Sequence, residues 1–372
     1  MKQLICRLID ESETKSIPYS VYMNTVLYHP EQGYYMKERE KVGREGDFLT
    51  SSTVSAAFAR QFARLFIRLV EDGIVPAAVC EIGGGTGAFA RQLLQEWRSR
   101  SPHTFAGLQY VMVETSPYHR KLQQERLAEF VCVSQYQDFS EVPVPFTGLI
   151  FSNELFDALP VEVIEMRGGM VYEIHVSHVD DTLIEVQRPL QNAAVEAYLK
   201  QTGLQLAEGQ RYEVPLAANA YMRQLGSLLE RGLLITVDYG YTAEEWRQPV
   251  HRDGSLRGYY RHTLVHNPLA HPGDMDLTAH VHWDDLQAAG EEGGLQSVLQ
   301  LKQRHFLLAS GILEQLVEHH DPNPFSEKSR QNRAVRAMIM DGGMSDSFEV
   351  LLQQKGLDLK VETYFDLSFL PV

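Results

Sequence analysis

The sequence predicts an α/β protein organised around a parallel, doubly wound sheet. Between residues 79 and 153, apolar strand-like runs alternate with helical segments, which is the order typical of this architecture. A glycine-rich turn, Gly83 to Gly87, follows the first strand and leads into a helix. Glu114 ends the second strand, and Asn153-Glu154 follow a later one. Because ligands of such sheets bind at the carboxyl ends of the strands, these residues are expected at one edge.

The segment before the sheet is predicted to be mainly helical. Residues Ile17 to Leu27 carry apolar side chains at helical spacing, and a turn follows at residues 29–33. A second helix is expected over about 54–72, where one face carries apolar side chains: Phe58, Phe62, Leu65, Phe66 and Leu69. We therefore interpret residues 1–72 as an N-terminal helical cap and residues 73–372 as the core.

The elements of the core are predicted from the period of its apolar residues. Strands are expected, in chain order, at Val79–Ile82, Gln109–Val113, Val131–Ser134, Leu149–Ser152, Leu233–Val237, Phe348–Gln353 and Leu359–Phe365. Helices are expected at about 88–99, 116–130, 191–202, 217–231, 304–319 and 328–340. From Val161 to Pro189 the apolar period changes to two, which indicates antiparallel hairpin strands. Insertions at about 161–231 and 241–345 are expected to form the mouth of a substrate site.

Composition and charge argue against several classes of protein. The net charge of −15 argues against a nucleic-acid-binding protein, which would usually present a basic face. No run of 18 or more apolar residues occurs, so neither a transmembrane helix nor a membrane partner is expected. The three cysteines lack metal-site spacing, and the N-terminus lacks the apolar core of a signal peptide. These features favour a reducing, cytoplasmic location, and they leave the oligomeric state open.

Two cofactors fit the glycine turn. The spacing Gly83-x-Gly85-x-x-Ala88 matches the dinucleotide fingerprint, and Glu114 would bind a ribose diol in either case. Glu81 favours S-adenosyl-L-methionine, because a carboxylate at a strand end suits a ligand with an ammonium group and would repel a pyrophosphate. The residues therefore favour S-adenosyl-L-methionine, with nicotinamide adenine dinucleotide (NAD) as the alternative.

The stretch from Glu81 to Gly87 resembles motif I of class I S-adenosylmethionine-dependent methyltransferases. The chain is also similar to the MidA-like family over nearly its whole length, through Leu27–Tyr35, Gly46–Ser51, Asn153–Pro160, Asp238–Gly240 and Asp276–Val281. That family usually has proline at the positions of Gly84 and Ser52. The resemblance implies a Rossmann-like class I methyltransferase fold. Such a fold has a mostly parallel seven-stranded doubly wound sheet, here with an N-terminal helical cap and inserted α+β elements.

The strand ends and the resemblance together define a set of predicted site residues. The predicted cofactor-binding residues are Asp47, Thr50, Glu81, Gly83, Gly85, Gly87, Glu114, Thr115, Asp138, Phe139 and Asn153. The predicted catalytic residues are Asn153, Glu154 and His280. A carboxylate such as Glu154 suits a guanidinium acceptor, because it can bind two N–H groups in a fork. No metal is expected at His280-x-His282, because no cysteine or carboxylate pattern completes such a site.

The resemblance also implies an activity. Mitochondrial members of the MidA-like family are arginine methyltransferases that act in the assembly of respiratory complex I. The chain is therefore expected to N-methylate arginine side chains of a protein substrate, with S-adenosyl-L-methionine as the donor. Three alternatives stay open: methylation of a small molecule, a cofactor-binding assembly factor with little catalysis, and an NAD-dependent oxidoreductase. The sequence does not decide the acceptor, the degree of methylation or whether the respiratory-complex role applies.

Overall fold

The structure, a computed structural model, describes residues 1–38, 56–319, 323, 325–340 and 346–368. The described residues fall into two compact units. The first unit draws on the segments Met1–Phe48, Phe156–Met222 and Gly240–Ala289, and the second on Leu49–Leu155, Arg223–Tyr239 and Gly290–Val372. This division differs from the predicted boundary at residue 72, because the helix Ala56–Glu71 lies in the second unit.

The described residues form the following elements. The helices are Lys2–Glu11, Tyr19–Tyr28, Ala56–Glu71, Ala88–Arg100, Pro102–Phe105, Pro117–Leu127, Ala193–Thr202, Leu216–Leu228, Ala243–Trp246, Trp283–Glu292, Gln303–Ala309, Glu327–Ile339 and Val361–Tyr364. Short 3-10 turns lie at Phe139–Glu141, Pro249–His251 and Ile312–Gln315. The strands are β1 (Ile17–Pro18), β2 (Ala78–Ile82), β3 (Gln109–Val113), β4 (Val133–Tyr136), β5 (Phe146–Asn153), β6 (Glu162–Arg167), β7 (Met170–Val179), β8 (Thr182–Pro189), β9 (Arg211–Val214), β10 (Leu229–Tyr241), β11 (Arg257–Tyr260), β12 (Thr263–Val265), β13 (Asp276–Thr278), β14 (Val281–His282), β15 (Gln296–Lys302) and β16 (Phe348–Lys355).

The second unit is built on a sheet with the strand order β15-β16-β10-β5-β2-β3-β4. The strands from β10 to β4 along this order pair in parallel, whereas β16 pairs antiparallel with both β10 and β15. All five residues of β2 are buried, as expected for a central strand that is covered on both faces. The predicted α/β class with a mostly parallel sheet is therefore confirmed.

Aromatic side chains fill the core of the second unit. Phe89, in the helix Ala88–Arg100, stacks on Phe151 of β5 with ring centroids 4.5 Å apart. Phe62, on the apolar face of the helix Ala56–Glu71, has its ring centroid 4.9 Å from that of Phe151. This apolar burial holds the start of the helix Ala88–Arg100 against the sheet, and with it the turn that precedes the helix.

The first unit contains an antiparallel sheet and a separate core. In this sheet β7 pairs with β1, β6 and β8, and β6 also pairs with β9. The hairpin strands predicted from the period of two are therefore confirmed. A smaller sheet has the order β12-β11-β13. The helices Lys2–Glu11 and Tyr19–Tyr28 bury Ile5, Tyr22 and Val26 in the core of this unit.

Predictions for the C-terminal part are partly wrong. The segment predicted as a strand at Leu359–Phe365 contains the helix Val361–Tyr364. Its apolar residues Leu359, Tyr364 and Phe365 pack on the core of the second unit instead of pairing in the sheet. The helix expected at 304–319 ends at Ala309, because Gly311 turns the chain with a φ of 93°. The pairing of β15 with β16 was not predicted.

Within the described part of the chain, we find no helix long and apolar enough to cross a membrane.

Candidate active site

The glycine turn joins β2 to the helix Ala88–Arg100 through three glycines in the left-handed region. Gly83, Gly85 and Gly87 have φ values of 69°, 51° and 73°, which would strain a residue with a side chain. The Gly83 N–H donates to the Val113 carbonyl at 2.9 Å and ties the turn to the end of β3. The turn therefore lies at the carboxyl end of the sheet and before a helix N-terminus, where backbone N–H groups suit polar ligands.

The space around the turn differs from one glycine to the next. Among the described residues, a Cβ on Gly85 would meet no atom within 4 Å, whereas one on Gly84 would lie 2.6 Å from Met112 Cε. A Cβ on Gly83 would lie 3.1 Å from the side chain of Leu155, which follows β5. A ligand can therefore approach the backbone at Gly85, and the end of β5 lies against the turn.

Glu114 braces this turn from the end of β3. One of its carboxylate oxygens accepts the Gly85 N–H at 3.1 Å, and the other accepts the Ser116 N–H at 2.9 Å. The side-chain amide of Gln123 donates to the Gly85 carbonyl at 2.8 Å. The N–H and the carbonyl of Gly85 are therefore both held by hydrogen bonds, although the space next to its Cα is open.

Glu81 lies beneath the turn in the interior of the sheet. The Tyr110 hydroxyl donates to its Oε2 at 2.8 Å. The side chain is buried, and its carboxyl carbon lies 3.0 Å from the position that a Cβ on Gly84 would occupy. Burial raises the pKa of Glu81 from its ordinary value of 4.5 to about 7; the Tyr110 hydrogen bond opposes this shift, and the nearby Glu114 charge adds to it. The charge of Glu81 therefore changes close to neutral pH.

The segments after β3 and β4 carry the other predicted cofactor residues. Thr115 is exposed, and its carbonyl accepts a hydrogen bond from Arg120 at 2.8 Å. Asp138 is exposed and accepts the N–H and the hydroxyl of Ser140, which hold the pKa of Asp138 below its usual range. Phe139 is buried at the start of a 3-10 turn. Asp138 therefore presents a polar group at this edge, whereas the Phe139 ring is packed in the interior.

Asn153 and Glu154 end β5 and form a pair. The Asn153 side-chain amide donates to Glu154 Oε1 at 2.9 Å. Asn153 Oδ1 is buried and accepts no hydrogen bond from any described residue, and such an atom is costly unless something else supplies a donor. Glu154 has a φ of 52°, which is uncommon for a residue other than glycine and often marks a functional site. The pair therefore offers acceptor oxygens to a ligand rich in N–H donors.

Asp238, at the end of the buried part of β10, holds the backbone around Glu154. Its carboxylate accepts the Leu155 N–H at 3.2 Å and the Tyr239 N–H at 2.9 Å, and its side chain is fully buried. The Glu154 N–H donates to the Val237 carbonyl at 2.9 Å. The left-handed conformation of Glu154 is therefore fixed by hydrogen bonds on both sides of it.

His280 lies in the first unit, whereas Asn153 and Glu154 lie in the second. The Arg257 guanidinium donates a hydrogen bond to the ring nitrogen Nε2 of His280. The backbone N–H of His280 donates to the Ser255 hydroxyl at 2.9 Å. Burial, and then the Arg257 charge, lower the pKa of His280 to about 2. His282 stacks on Trp246, and burial lowers its pKa to about 3. Both rings are therefore neutral near pH 7, and a base role for His280 requires Arg257 to leave Nε2.

The structure brings most of the predicted residues to one edge of the second unit. The glycine turn, Glu114, Asp138 and Asn153-Glu154 follow or end the neighbouring parallel strands β2, β3, β4 and β5. Asp47 and Thr50 lie outside the described residues. Sequence reasoning missed Tyr110, Gln123 and Arg257, each of which contacts a predicted site residue. Their partners are distant in sequence, so no local pattern could have identified them.

A family model for S-adenosyl-L-methionine-dependent methyltransferases matches residues 57–300 of the chain. The chain is also similar to the mitochondrial protein arginine methyltransferase NDUFAF7 homolog of Drosophila melanogaster. The two are 29% identical over 365 residues, which cover 86% of this chain and 77% of the relative. Mitochondrial protein arginine methyltransferase NDUFAF7 of Homo sapiens is 26% identical over 328 residues, which cover 80% of this chain and 71% of the relative.

Two solved structures from Burkholderia thailandensis have a similar fold. One, a crystal structure with bound S-adenosyl-homocysteine, has a TM-score of 0.85 and 30% identity, and the match covers 96% of this chain and 93% of that chain. The other, a native crystal structure, has a TM-score of 0.83 and 28% identity, with coverages of 99% and 97%. The predicted cytoplasmic location is wrong, because the relatives from Drosophila melanogaster and Homo sapiens are mitochondrial proteins.

Proposed function

The chain belongs to the family of S-adenosyl-L-methionine-dependent methyltransferases, and we propose that it methylates arginine side chains of a protein substrate. The relatives named above are protein arginine methyltransferases, which supports this choice of acceptor. The proposal is carried by the pair Asn153 and Glu154 at the end of β5. The amide oxygen of Asn153 is buried beside the Glu154 carboxylate, and it accepts no hydrogen bond from any of the described residues. A guanidinium has N–H donors only, so it complements these acceptors.

The glycine turn and its neighbours are proposed to hold the methyl donor. Bound S-adenosyl-L-methionine supplies an electrophilic methyl group on a sulfonium. The open backbone at Gly85 would lie against it, with Gly83 and Gly87 shaping the turn on either side. Glu114 would accept the ribose hydroxyls, and Glu81 would provide negative charge beneath the turn. Thr115 and Asp138 follow the next strand ends and would line the adenine side, with the buried Phe139 beneath them. Asp47 and Thr50 stay proposed cofactor residues.

Glu154 and Asn153 are proposed to hold the acceptor. The carboxylate of Glu154 would bind two N–H groups of the guanidinium in a fork, which directs the remaining nitrogen towards the methyl group. Asn153 fixes Glu154 Oε1 through its amide and offers Oδ1 to a further N–H. Glu154 Oε2 would hold the proton that the methylated nitrogen releases. Positioning of this kind is the main task in a direct methyl transfer, because no covalent intermediate on the protein is needed.

The test of this function is the Glu154→Gln variant in the full chain. The variant and the wild type are incubated with labelled methyl donor and a protein extract, and methylarginine is quantified after acid hydrolysis. We expect wild type to form methylarginine and Glu154→Gln to form about 100-fold less, because it loses the charge that binds and orients the guanidinium. The affinity for S-adenosyl-homocysteine should stay within about threefold, since Glu154 is assigned to the acceptor.

The control is Glu129→Gln, an exposed carboxylate that pairs with Arg98 on the surface. It should keep wild-type methylarginine formation. Two results would contradict the proposal. Equal methylarginine formation by wild type and Glu154→Gln removes Glu154 as the guanidinium-binding residue, and label recovered only in small molecules removes the protein acceptor.

A further inference from the structure

Three potential metal ligands meet in the first unit, far from the glycine turn in the sequence. The Cys6 sulfur, one ring nitrogen of His178 and one carboxylate oxygen of Asp181 all lie within 4.8 Å of one another. Cys6 lies in the helix Lys2–Glu11, His178 near the end of β7, and Asp181 in the turn between β7 and β8. Sulfur, imidazole nitrogen and carboxylate oxygen are the three protein ligand types of zinc.

The hydrogen bond between His178 and Asp10 indicates which ring nitrogen of His178 carries a lone pair for a metal ion. Asp10 lies one helical turn after Cys6, and its Oδ1 is 3.1 Å from His178 Nε2. A carboxylate only accepts hydrogen bonds, so a neutral His178 ring carries its proton on Nε2 and its lone pair on Nδ1. Nδ1 is buried and, within the described part of the chain, has no hydrogen-bond partner. A buried lone pair without a donor is costly, and a metal ion would satisfy it.

The residues around Cys6, His178 and Asp181 are also arranged as they are around a metal site. A histidine that binds a metal usually donates its other N–H to a carboxylate, which fixes the ring and raises its basicity. Asp10 occupies this place for His178. The Cys6 side chain is 6% exposed, so its sulfur is shielded from solvent, whereas Asp181 is exposed and can move towards an ion. Ligand atoms around tetrahedral zinc are about 3–4 Å apart, so only a small side-chain adjustment is needed.

We propose that Cys6, His178 and Asp181 bind a zinc ion, with a water molecule as the fourth ligand. Binding replaces the thiol proton of Cys6, which passes to solvent, with a sulfur–zinc bond, and it involves no oxidation or reduction. The ion would link the helix Lys2–Glu11 to the β7–β8 hairpin within the first unit. Since the ligands come from separated segments, binding would be coupled to the folding of this unit.

The test is metal binding by the full chain after removal of metals with a chelator. We expect one zinc per chain and a rise in Tm when zinc is added. Cobalt as a zinc substitute should give a thiolate-to-cobalt absorption band. Asp181→Asn should weaken zinc binding at least about tenfold, and Asp10→Asn about 10–100-fold, because it removes the carboxylate that orients His178.

Two matched controls separate this site from nonspecific binding. Asp180→Asn removes the same charge from the neighbouring residue of the same turn, and it should bind zinc like wild type. Cys6→Ser should lose the cobalt band, whereas Cys132→Ser, which changes a cysteine in the second unit, should keep it. The proposal is overturned if wild type binds no zinc, if Asp180→Asn and Asp181→Asn lose affinity equally, or if Cys6→Ser keeps the band. Because Asp181 is exposed, its variant tests the site even if Cys6→Ser fails to fold.

Discussion

Glu81 and Glu114 lie at the carboxyl ends of neighbouring strands, yet their carboxylates have different surroundings. Glu114 accepts two backbone N–H groups, one from Gly85 in the turn and one from Ser116 before the next helix. Glu81 accepts the Tyr110 hydroxyl, and burial raises its pKa to about 7. The first carboxylate therefore organises the backbone, whereas the second is an interior group whose charge depends on pH.

Glu114 and Glu81 can contribute to one cofactor site in different ways. Backbone N–H groups stabilise a carboxylate in place, so Glu114 is already oriented before any ligand binds. Glu81 carries the cost of burial instead, and a ligand with a positive charge would reduce that cost. From the sequence, Glu114 is expected to bind the ribose diol and Glu81 to face an ammonium group of the ligand. The structure shows that they must be tested by different measurements, ligand affinity for Glu114 and pH dependence for Glu81.

The largest effect is expected for Glu114→Ala. This change leaves the N–H groups of Gly85 and Ser116 without their acceptor and removes the proposed ribose ligand. Hydrogen bonds to charged groups contribute about 1.5–3 kcal/mol each. We therefore expect about a thousandfold weaker binding of S-adenosyl-homocysteine, or about 4 kcal/mol, measured by calorimetric titration. Glu129→Ala should bind like wild type. An affinity of Glu114→Ala within threefold of wild type would show that Glu114 does not hold the cofactor.

A smaller effect is expected on stability for Glu81→Gln, and its size depends on pH. The folded pKa of Glu81 is about 7, against an ordinary value of 4.5. As pH rises from 4.5 to 7, the unfolded chain releases this proton while the folded chain keeps it, so the free energy of unfolding falls. The fall is about 3 kcal/mol for the 2.5-unit difference.

Glutamine cannot release a proton, so Glu81→Gln should lack this fall. The measurement is urea unfolding of wild type and variant at pH 4 and pH 8. We expect the stability of wild type relative to the variant to drop by about 3 kcal/mol between these pH values. A relative stability that is the same at both pH values would show that folding leaves the pKa of Glu81 at its ordinary value.

The sequence predicted much of this edge because its signals are local. A glycine turn after an apolar strand, with Glu114 and Asn153-Glu154 at later strand ends, is enough to indicate where a ligand binds in a parallel sheet. The predicted S-adenosyl-L-methionine cofactor is confirmed by the family to which the chain belongs. The roles of the individual residues stay predictions, since they depend on contacts with the bound molecules.

The parts that the sequence did not predict depend on tertiary contacts. Leu359, Tyr364 and Phe365 suggested a strand, but their burial is achieved by packing a short helix on the core. The hydrogen bond between Arg257 and His280 joins two segments of the first unit. It occupies Nε2 of His280, the nitrogen with which His280 would accept a proton as a base. The bond between Tyr110 and Glu81 depends on the register of β2 against β3. Apolar periodicity contains no information on such pairs.

The smallest effect is expected for Tyr110→Phe, which removes only the hydroxyl that Glu81 accepts. This hydrogen bond opposes the rise of the Glu81 pKa, so its loss should raise the pKa further. A net hydrogen bond of about 1 kcal/mol corresponds to an upward shift of about 0.7 pKa units. The pH at which the free energy of unfolding stops falling should therefore move upward by that amount, measured by urea unfolding across pH 5 to 9. Tyr136→Phe, on the neighbouring strand β4, should leave this pH unchanged. An unchanged pH in Tyr110→Phe would show that burial and the Glu114 charge set the pKa of Glu81 without any contribution from the Tyr110 hydroxyl.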